Sequence, residues 1–229
     1  MKKDLQKILG IKIKNEDLFK EAFTHKSFIN ENRRNNFSCN ERLEFLGDAV
    51  LELLTTDFLF AYFPRKEEGE LTAFRSALVC GKNLAKIALV LDLGKFLFIS
   101  KGEEKSGGRN KNYILANTFE AVLGAIYLDS GLKNCQKILE KFLFPKINQI
   151  VEENLHKDAK SLLQELAQEK KAITPHFEVL SQVGPDHAKI FEVGAFLAQK
   201  CVGKGKGSSK QKASNEAAKN ALVNLNWQA

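Results

Sequence analysis

The feature that most limits what this chain can fold into is a change of hydrophobic period about two thirds of the way along it. From about residue 15 to residue 150 apolar side chains recur every three or four positions, as Leu43, Leu46, Val50, Leu53 and Leu54 do, and again through 71–91, 112–128 and 135–150. That spacing lines one side of an α-helix. Around 151–158 (VEENLHKD) the pattern fades, and a further helical stretch at 158–171 follows. Beyond it apolar residues alternate, through HFEVLSQV, AKIFEVGA and FLAQKCVG, with the turn Gly184-Pro185-Asp186 after the first and a last helical stretch at about 209–225. Alternation is the period of a strand with one buried face. The sequence therefore predicts an all-α domain over 1–151, a linker at 152–157 and a small α+β domain of order α-β-β-β-α over 158–229. Within the helical part, Pro64 and the charged stretch to Gly69 stop one helix, and the polar SKGEEKSGGRNKN at 100–112 reads as a flexible loop.

Composition removes several classes of function. No apolar run approaches the ~20 residues that span a bilayer, so no membrane partner is expected. The opening MKKDLQKILGIKIKNEDLFK mixes charge with apolar residues and lacks the apolar core of a secretory signal. Cys39, Cys80, Cys135 and Cys201 are scattered, with no CxxC pair, which argues against a disulfide scaffold or structural zinc and for reduced thiols in a cytoplasm. Of the net charge of +7, residues 1–150 carry +5 and residues 151–229 carry +2, and within the second part residues 200–219 hold Lys200, Lys204, Lys206, Lys210, Lys212 and Lys219 against Glu216 alone. A local basic patch is the footprint of a polyanion-binding surface.

The most informative stretch is 38–51, SCNERLEFLGDAVL. On a helix Glu41, Glu44 and Asp48 fall within about 60° of one another, while Leu43, Leu46, Val50 and Leu54 line another face and Gly47 lets a neighbouring backbone come close. Three stacked like charges persist if they face water or if a cation neutralises them. A solvated acidic face remains one reading, and Ser38-x-x-Glu41 also fits a capping box, with Asn40 as the other candidate cap. A second helix, NYILANTFEAVLGAIYLD at 112–129, shifts the balance, because its apolar residues cover most of its circumference and Glu120 is its sole acid before Asp129. A buried carboxylate needs a partner. A metal shared with Glu44 and Asp48 would satisfy all three carboxylates, and oxygen donors without His or Cys favour Mg²⁺ or Mn²⁺ over zinc.

NERLEFLGDAVL resembles the signature of the ribonuclease III endonucleases. The resemblance extends through Thr24-His25-Lys26-Ser27, Glu68-Gly69 and ILANTFEAVLGAIYLDSG, and the C-terminal part resembles a double-stranded RNA-binding domain, in the domain order of the bacterial enzymes. It implies a homodimer that hydrolyses phosphodiesters of double-stranded RNA with Mg²⁺, leaves 5′-phosphate and 3′-hydroxyl ends, and serves rRNA and mRNA processing. Carried over by position, Glu44, Asp48 and Glu120 fall on metal-binding carboxylates, with Asp48 and Glu120 catalytic, and Glu41 and Glu68 fall on further acidic positions near the catalytic valley. The remaining metal position, an Asp in the family, is Asn117 here. Its amide oxygen can still ligate Mg²⁺ but brings no charge, so retained activity with weaker metal affinity is expected. The alternative is a non-cleaving double-stranded RNA-binding regulator whose metal site Asn117 has weakened. His25 reads as a hydrogen-bonded structural residue rather than a general base, and Phe58, Phe60 and Phe63 could serve a dimer interface or the core equally well.

The second domain carries its own chemistry. A reader of duplex RNA needs basic groups and neutral polar side chains more than stacking aromatics. Ser161, Gln164, Glu165 and Gln168 form a polar stripe opposite Leu162, Leu163 and Leu166. By resemblance that stripe enters one minor groove, His187 in the turn makes a second contact, and Lys210 and Lys212 meet phosphates at a helix start. GKGKGSSK lacks the spacing of a phosphate-binding Walker loop. Arg109 and Lys111 are weaker candidates for RNA contact.

Overall fold

The computed structural model describes all residues except 33–37, 157, 186, 187, 228 and 229. It divides into two units, Met1–Ile150 and Val151–Ala229. The first holds α1 (Lys2–Leu9), α2 (Glu16–Ala22), α3 (Lys26–Glu31), α4 (Glu41–Tyr62), α5 (Glu68–Leu78), α6 (Gly81–Val90), α7 (Lys101–Lys105), α8 (Asn112–Ser130) and α9 (Leu132–Phe142), and α10 (Lys146–Glu152) runs across the division. The second holds α11 (Ala159–Lys171), β1 (His176–Val183), β2 (Ile190–Leu197), β3 (Lys200–Gly207) and α12 (Lys210–Asn224). Among the described residues no helix is long and apolar enough to cross a membrane.

Helix α8 is the axis of the first unit. Ile114, Leu115, Phe119, Val122, Leu123 and Ile126 are all buried, on every side of it. Its closest neighbour is α4, and the two cross through paired glycines. A Cβ on Gly47 would fall on the Glu120 carbonyl oxygen, and one on Gly124 would fall on the Leu43 carbonyl oxygen. The crossing therefore requires glycine on both helices. Helix α4 ends at Tyr62, before Pro64, and α5 is tied back to it by Arg75, whose Nε lies 3.0 Å from Glu52 Oε2. Of the three phenylalanines at the end of α4, Phe58 stacks on Phe144 (4.1 Å between ring centroids) and Phe63 on Phe74 (4.7 Å), while Phe60 stays exposed.

The stretch 100–112 is ordered rather than a flexible loop. Ser100 caps α7 by accepting from the Glu103 N–H at 3.1 Å, and Gly108–Asn110 forms a 3-10 turn. Lys111 Nζ reaches Glu103 at 2.6 Å, and Arg109 binds Glu104 while donating to the carbonyls of Gly94 and Leu97, both at 2.9 Å. The charges that suggest solvation in the sequence pair with one another across the turn. Arg109 and Lys111 are both engaged inside the fold.

The second unit is an antiparallel sheet of order β1-β2-β3 covered by the two helices. Gly203, Gly205 and Gly207 face α12 so closely that a Cβ on any of them would meet its backbone, and Ala213, Ala217, Ala218 and Ala221 are fully buried there. Small residues on both surfaces allow helix and strand to approach at backbone distance. Strand β1 departs from the predicted alternation: only Phe177 is drawn inward, while Val179, Leu180 and Val183 are exposed. A register shift between Val179 and Ser181 also interrupts its pairing with β2.

Candidate active site and nucleic-acid interface

The glycine crossing sets the geometry of the acidic cluster. Glu44 and Asp48 lie one turn apart on α4, and Asn117 and Glu120 one turn apart on α8, with Gly47 packed on the Glu120 backbone. Glu44, Asn117 and Glu120 are half-buried and Asp48 is exposed. Burial, and then the charges of Asp48 and Glu44, push the Glu120 carboxyl up to about 7. Burial also raises Glu44, against a hydrogen bond donated by Asn117, and the charges of Glu41 and Asp48 add to the rise. The carboxylates thus lie within range of one another's charge. An all-oxygen donor set under mutual repulsion suits a hard divalent cation. The side chains do not close into a finished cage: among the described residues no three His, Cys, Asp or Glu groups gather in ligating geometry. Glu44 instead accepts a hydrogen bond from the Asn117 amide.

Two acids have other surroundings. Glu41 is the first residue of α4, so it cannot close a capping box from the third position, and Asn40 occupies the cap position without a side-chain bond. The Glu41 carboxylate accepts from Lys26 Nζ at 3.0 Å and from Cys39 Sγ at 3.5 Å, and Lys26 holds it below the usual carboxylate range. Glu68 opens α5, accepts from Thr72 Oγ1 at 3.2 Å and shares a pocket with Thr56, Phe60 and Arg75. Thr56 lies two turns beyond Asp48 on α4, about 12 Å along the axis. Within this chain, Glu68 is not brought to the cluster.

Sequence reasoning missed the anchoring role of Asp129. It is buried and accepts from the Lys14 and Asn15 N–H groups at 3.1 and 2.6 Å, tying the start of α2 to the end of α8. An acid at the end of an otherwise apolar helix was its one available signal. His25 behaves as read: its Nδ1 accepts from the Ser27 N–H at 3.2 Å and starts α3.

In the second unit Ser161, Gln164, Glu165 and Gln168 all lie exposed on α11, opposite buried Leu163 and Ala167. Ser161 is oriented by Asp158, which accepts from its N–H and its hydroxyl at 3.1 and 2.7 Å. Lys210 and Lys212 are exposed in the first turn of α12 and form no ion pair among the described residues. Ser209 caps that helix by accepting from the Lys212 N–H at 3.2 Å. His187 lies outside the described residues.

Comparison with known proteins agrees with this division. Residues 15–147 match the family described as Ribonuclease-III-like, and residues 159–225 match the Double-stranded RNA binding motif. The chain belongs to the ribonuclease III family. Ribonuclease 3 of Pelotomaculum thermopropionicum is 46% identical over 219 residues, 96% of this chain and 91% of that one. Ribonuclease 3 of Listeria monocytogenes is 41% identical, covering 97% and 96%. The nuclease domain of ribonuclease III from Campylobacter jejuni superimposes with a TM-score of 0.57 at 41% identity, over 62% of this chain and 97% of that one.

The elevated Glu120 carboxyl gives this ribonuclease III chain a pH-dependent stability of unusual sign. Between an ordinary value of 4.5 and the folded value of about 7 the native state holds the extra proton. Stability therefore falls as pH rises through that window and levels off above it. After discounting for the exposed edge of the group, the loss is about 1 to 2 kcal/mol. Melting curves in EDTA should show greater stability at pH 5 than at pH 8, with this component of the slope removed in Glu120→Gln. Parallel pH profiles for the two proteins would rule it out.

Proposed function

We propose that the protein is a divalent-metal-dependent endoribonuclease that cuts both strands of duplex RNA as a homodimer in the cytoplasm, leaving 5′-phosphate and 3′-hydroxyl ends during rRNA and mRNA processing. The observation that carries this reading is the α4–α8 crossing, which packs Gly47, between Glu44 and Asp48, on the Glu120 backbone; the Glu44 and Glu120 carboxyls there are both raised, first by burial and then by neighbouring acids. Glu44, Asp48 and Glu120 would hold Mg²⁺, or Mn²⁺ in its place, with Asn117 as a neutral oxygen donor. Such an ion lowers the pKa of a bound water and neutralises charge on the attacked phosphate. The chain's own contribution is placement: Asn117 orients Glu44, and the glycine crossing fixes the spacing of the two carboxylate-bearing helices. Asp48 and Glu120 are the catalytic pair in this reading, and Glu41 and Glu68 are auxiliary.

In the second unit the α11 stripe of Ser161, Gln164, Glu165 and Gln168 enters a minor groove, His187 a second, and Lys210 and Lys212 meet the phosphates between them. The Campylobacter neighbour is described as having a region involved in dimer formation. Here α4 leaves Phe45 and Phe60 at 81% and 72% exposure, apolar surface available to a second copy.

Cleavage of a long labelled RNA duplex tests the proposal. Short duplex products should form with Mg²⁺ and disappear with EDTA. Lys210→Ala/Lys212→Ala should lower the slope of log affinity against log salt by about two. Retarded but uncut RNA, with cutting restored by Asn117→Asp, would favour the non-cleaving regulator.

A further inference from the structure

A polar cavity of about 310 Å³ adjoins the acidic cluster and shares Glu44 and Asn117 with it. It is lined also by His25, Asn30, Asn40 and Tyr113. Its size is at the lower end for a ligand pocket and fits a sugar better than a base pair.

The orientation of His25 is fixed. The Ser27 N–H can only donate, so Nδ1, which accepts it at 3.2 Å, carries a lone pair and the ring proton sits on Nε2. The Ser27 hydroxyl lies 2.8 Å from the same Nδ1 and itself accepts from the Ser100 N–H at 3.1 Å, which locks the arrangement from a distant segment. Burial holds the imidazole below its ordinary pKa, so it is neutral at pH 7. Nε2–H has no partner among the described residues, and it is the ring atom left for the cavity.

The charge balance then selects the occupant. The cavity's one lysine, Lys26, is paired with Glu41 at 3.0 Å, and Glu44 adds a carboxyl. A phosphate would meet two acids and no unpaired cation. A ribose hydroxyl both donates and accepts, and so do these walls: His25 Nε2–H and the Asn30 amide N–H can donate, while the Asn30 amide oxygen can accept. The Tyr113 ring, 57% exposed, offers an apolar surface to the C–H side of a sugar.

We propose that this cavity is a ribose subsite beside the bond to be cut, in which the Nε2–H of His25 donates to a 2′-hydroxyl of the substrate strand. The proposal rests on the endoribonuclease reading. It makes His25 a specificity-determining residue, since the 2′-hydroxyl is what separates RNA from DNA at a given position.

The test pairs His25→Asn with substrates carrying a single 2′-deoxyribose, moved one nucleotide at a time across the cleavage region. Asparagine keeps an acceptor that can cap α3 but removes the Nε2 donor, so the variant should melt with the wild type. At one position the deoxy substitution should lower wild-type kcat/KM about five- to tenfold. The same substitution should cost His25→Asn less than about twofold, because the bond is already absent. His25→Gln, which keeps a donor at comparable reach but lacks the cap, should melt lower and still discriminate against the deoxy duplex. Equal deoxy sensitivity of wild type and His25→Asn at every position would overturn the subsite and leave the nuclease reading standing. Failure of the wild type to cut the all-ribose duplex would overturn the nuclease reading itself.

Discussion

Glu120→Gln should lower the rate of duplex RNA cleavage by about 10³-fold or more, leave RNA retention unchanged, and raise the stability of the metal-free protein. The three effects have one origin. Glu120 lies half-buried on a helix that is otherwise packed on all sides, and its carboxyl is held near 7 by burial and by two neighbouring acids. Glutamine preserves its volume and polarity, so α8 keeps its packing. What goes, on the proposed function, is one of the anionic ligands, and charge stabilisation around a divalent ion is worth several kcal/mol in the transition state. A loss of about 4 kcal/mol corresponds to roughly 10³ in rate. In the proposed function RNA retention rests on the α11 stripe and on Lys210 and Lys212, which the substitution leaves unaltered. Removing a charge that its neighbours repel relieves the native state, hence the gain in stability. A residue whose replacement improves folding and abolishes turnover is kept for its chemistry, as expected where stability and activity conflict. Single-turnover cleavage, gel retention and melting in EDTA report the three quantities separately. Cleavage within tenfold of the wild type would remove Glu120 from the ligand set.

The parts of this site that can be read from the sequence are those that depend on one helix at a time. Glu44 and Asp48 share a face by the arithmetic of helical spacing, and Glu120 stands out as a lone acid in an apolar helix. Half of the contact that brings them together is legible too, since Gly47 interrupts a run of larger residues. Gly124, its counterpart, looks like one small residue among the alanines of α8, and its role emerges only from the crossing. The stretch 100–112 misleads because glycine and charge are the usual marks of a loop, whereas the pairs Glu103–Lys111 and Glu104–Arg109 order it. The lock on His25 depends on Ser100, 75 positions away in the chain, which no local pattern reports. Glu68, which resemblance carries over as a further acidic position near the catalytic valley, accepts from Thr72 within α5 in this chain.

Gly47→Ala should be the most damaging single-methyl change in the first unit, and Gly69→Ala shows why helix propensity does not decide the outcome. Both glycines lie in helices, where alanine is favoured by up to about 1 kcal/mol. At Gly69, near the start of α5, an added Cβ meets nothing within 4 Å, so the substitution should be neutral or slightly stabilising. At Gly47 the Cβ falls on the Glu120 carbonyl oxygen, with the Gly124 backbone nitrogen 2.9 Å away. Neither obstacle is a side chain that can change rotamer. The helices must separate, and overpacking without a rotamer escape belongs at the upper end of its range, about 3 kcal/mol. For a protein of this size that is a fall in melting temperature of roughly 6 to 12 °C. The separation also carries Glu44 and Asp48 away from Asn117 and Glu120. Misplacement by about 1 Å can cost 10²-fold in rate, so cleavage should fall by about that factor even at temperatures where the variant is fully folded. A Gly47→Ala protein that melts and cuts like Gly69→Ala would show that the crossing is not what assembles the site.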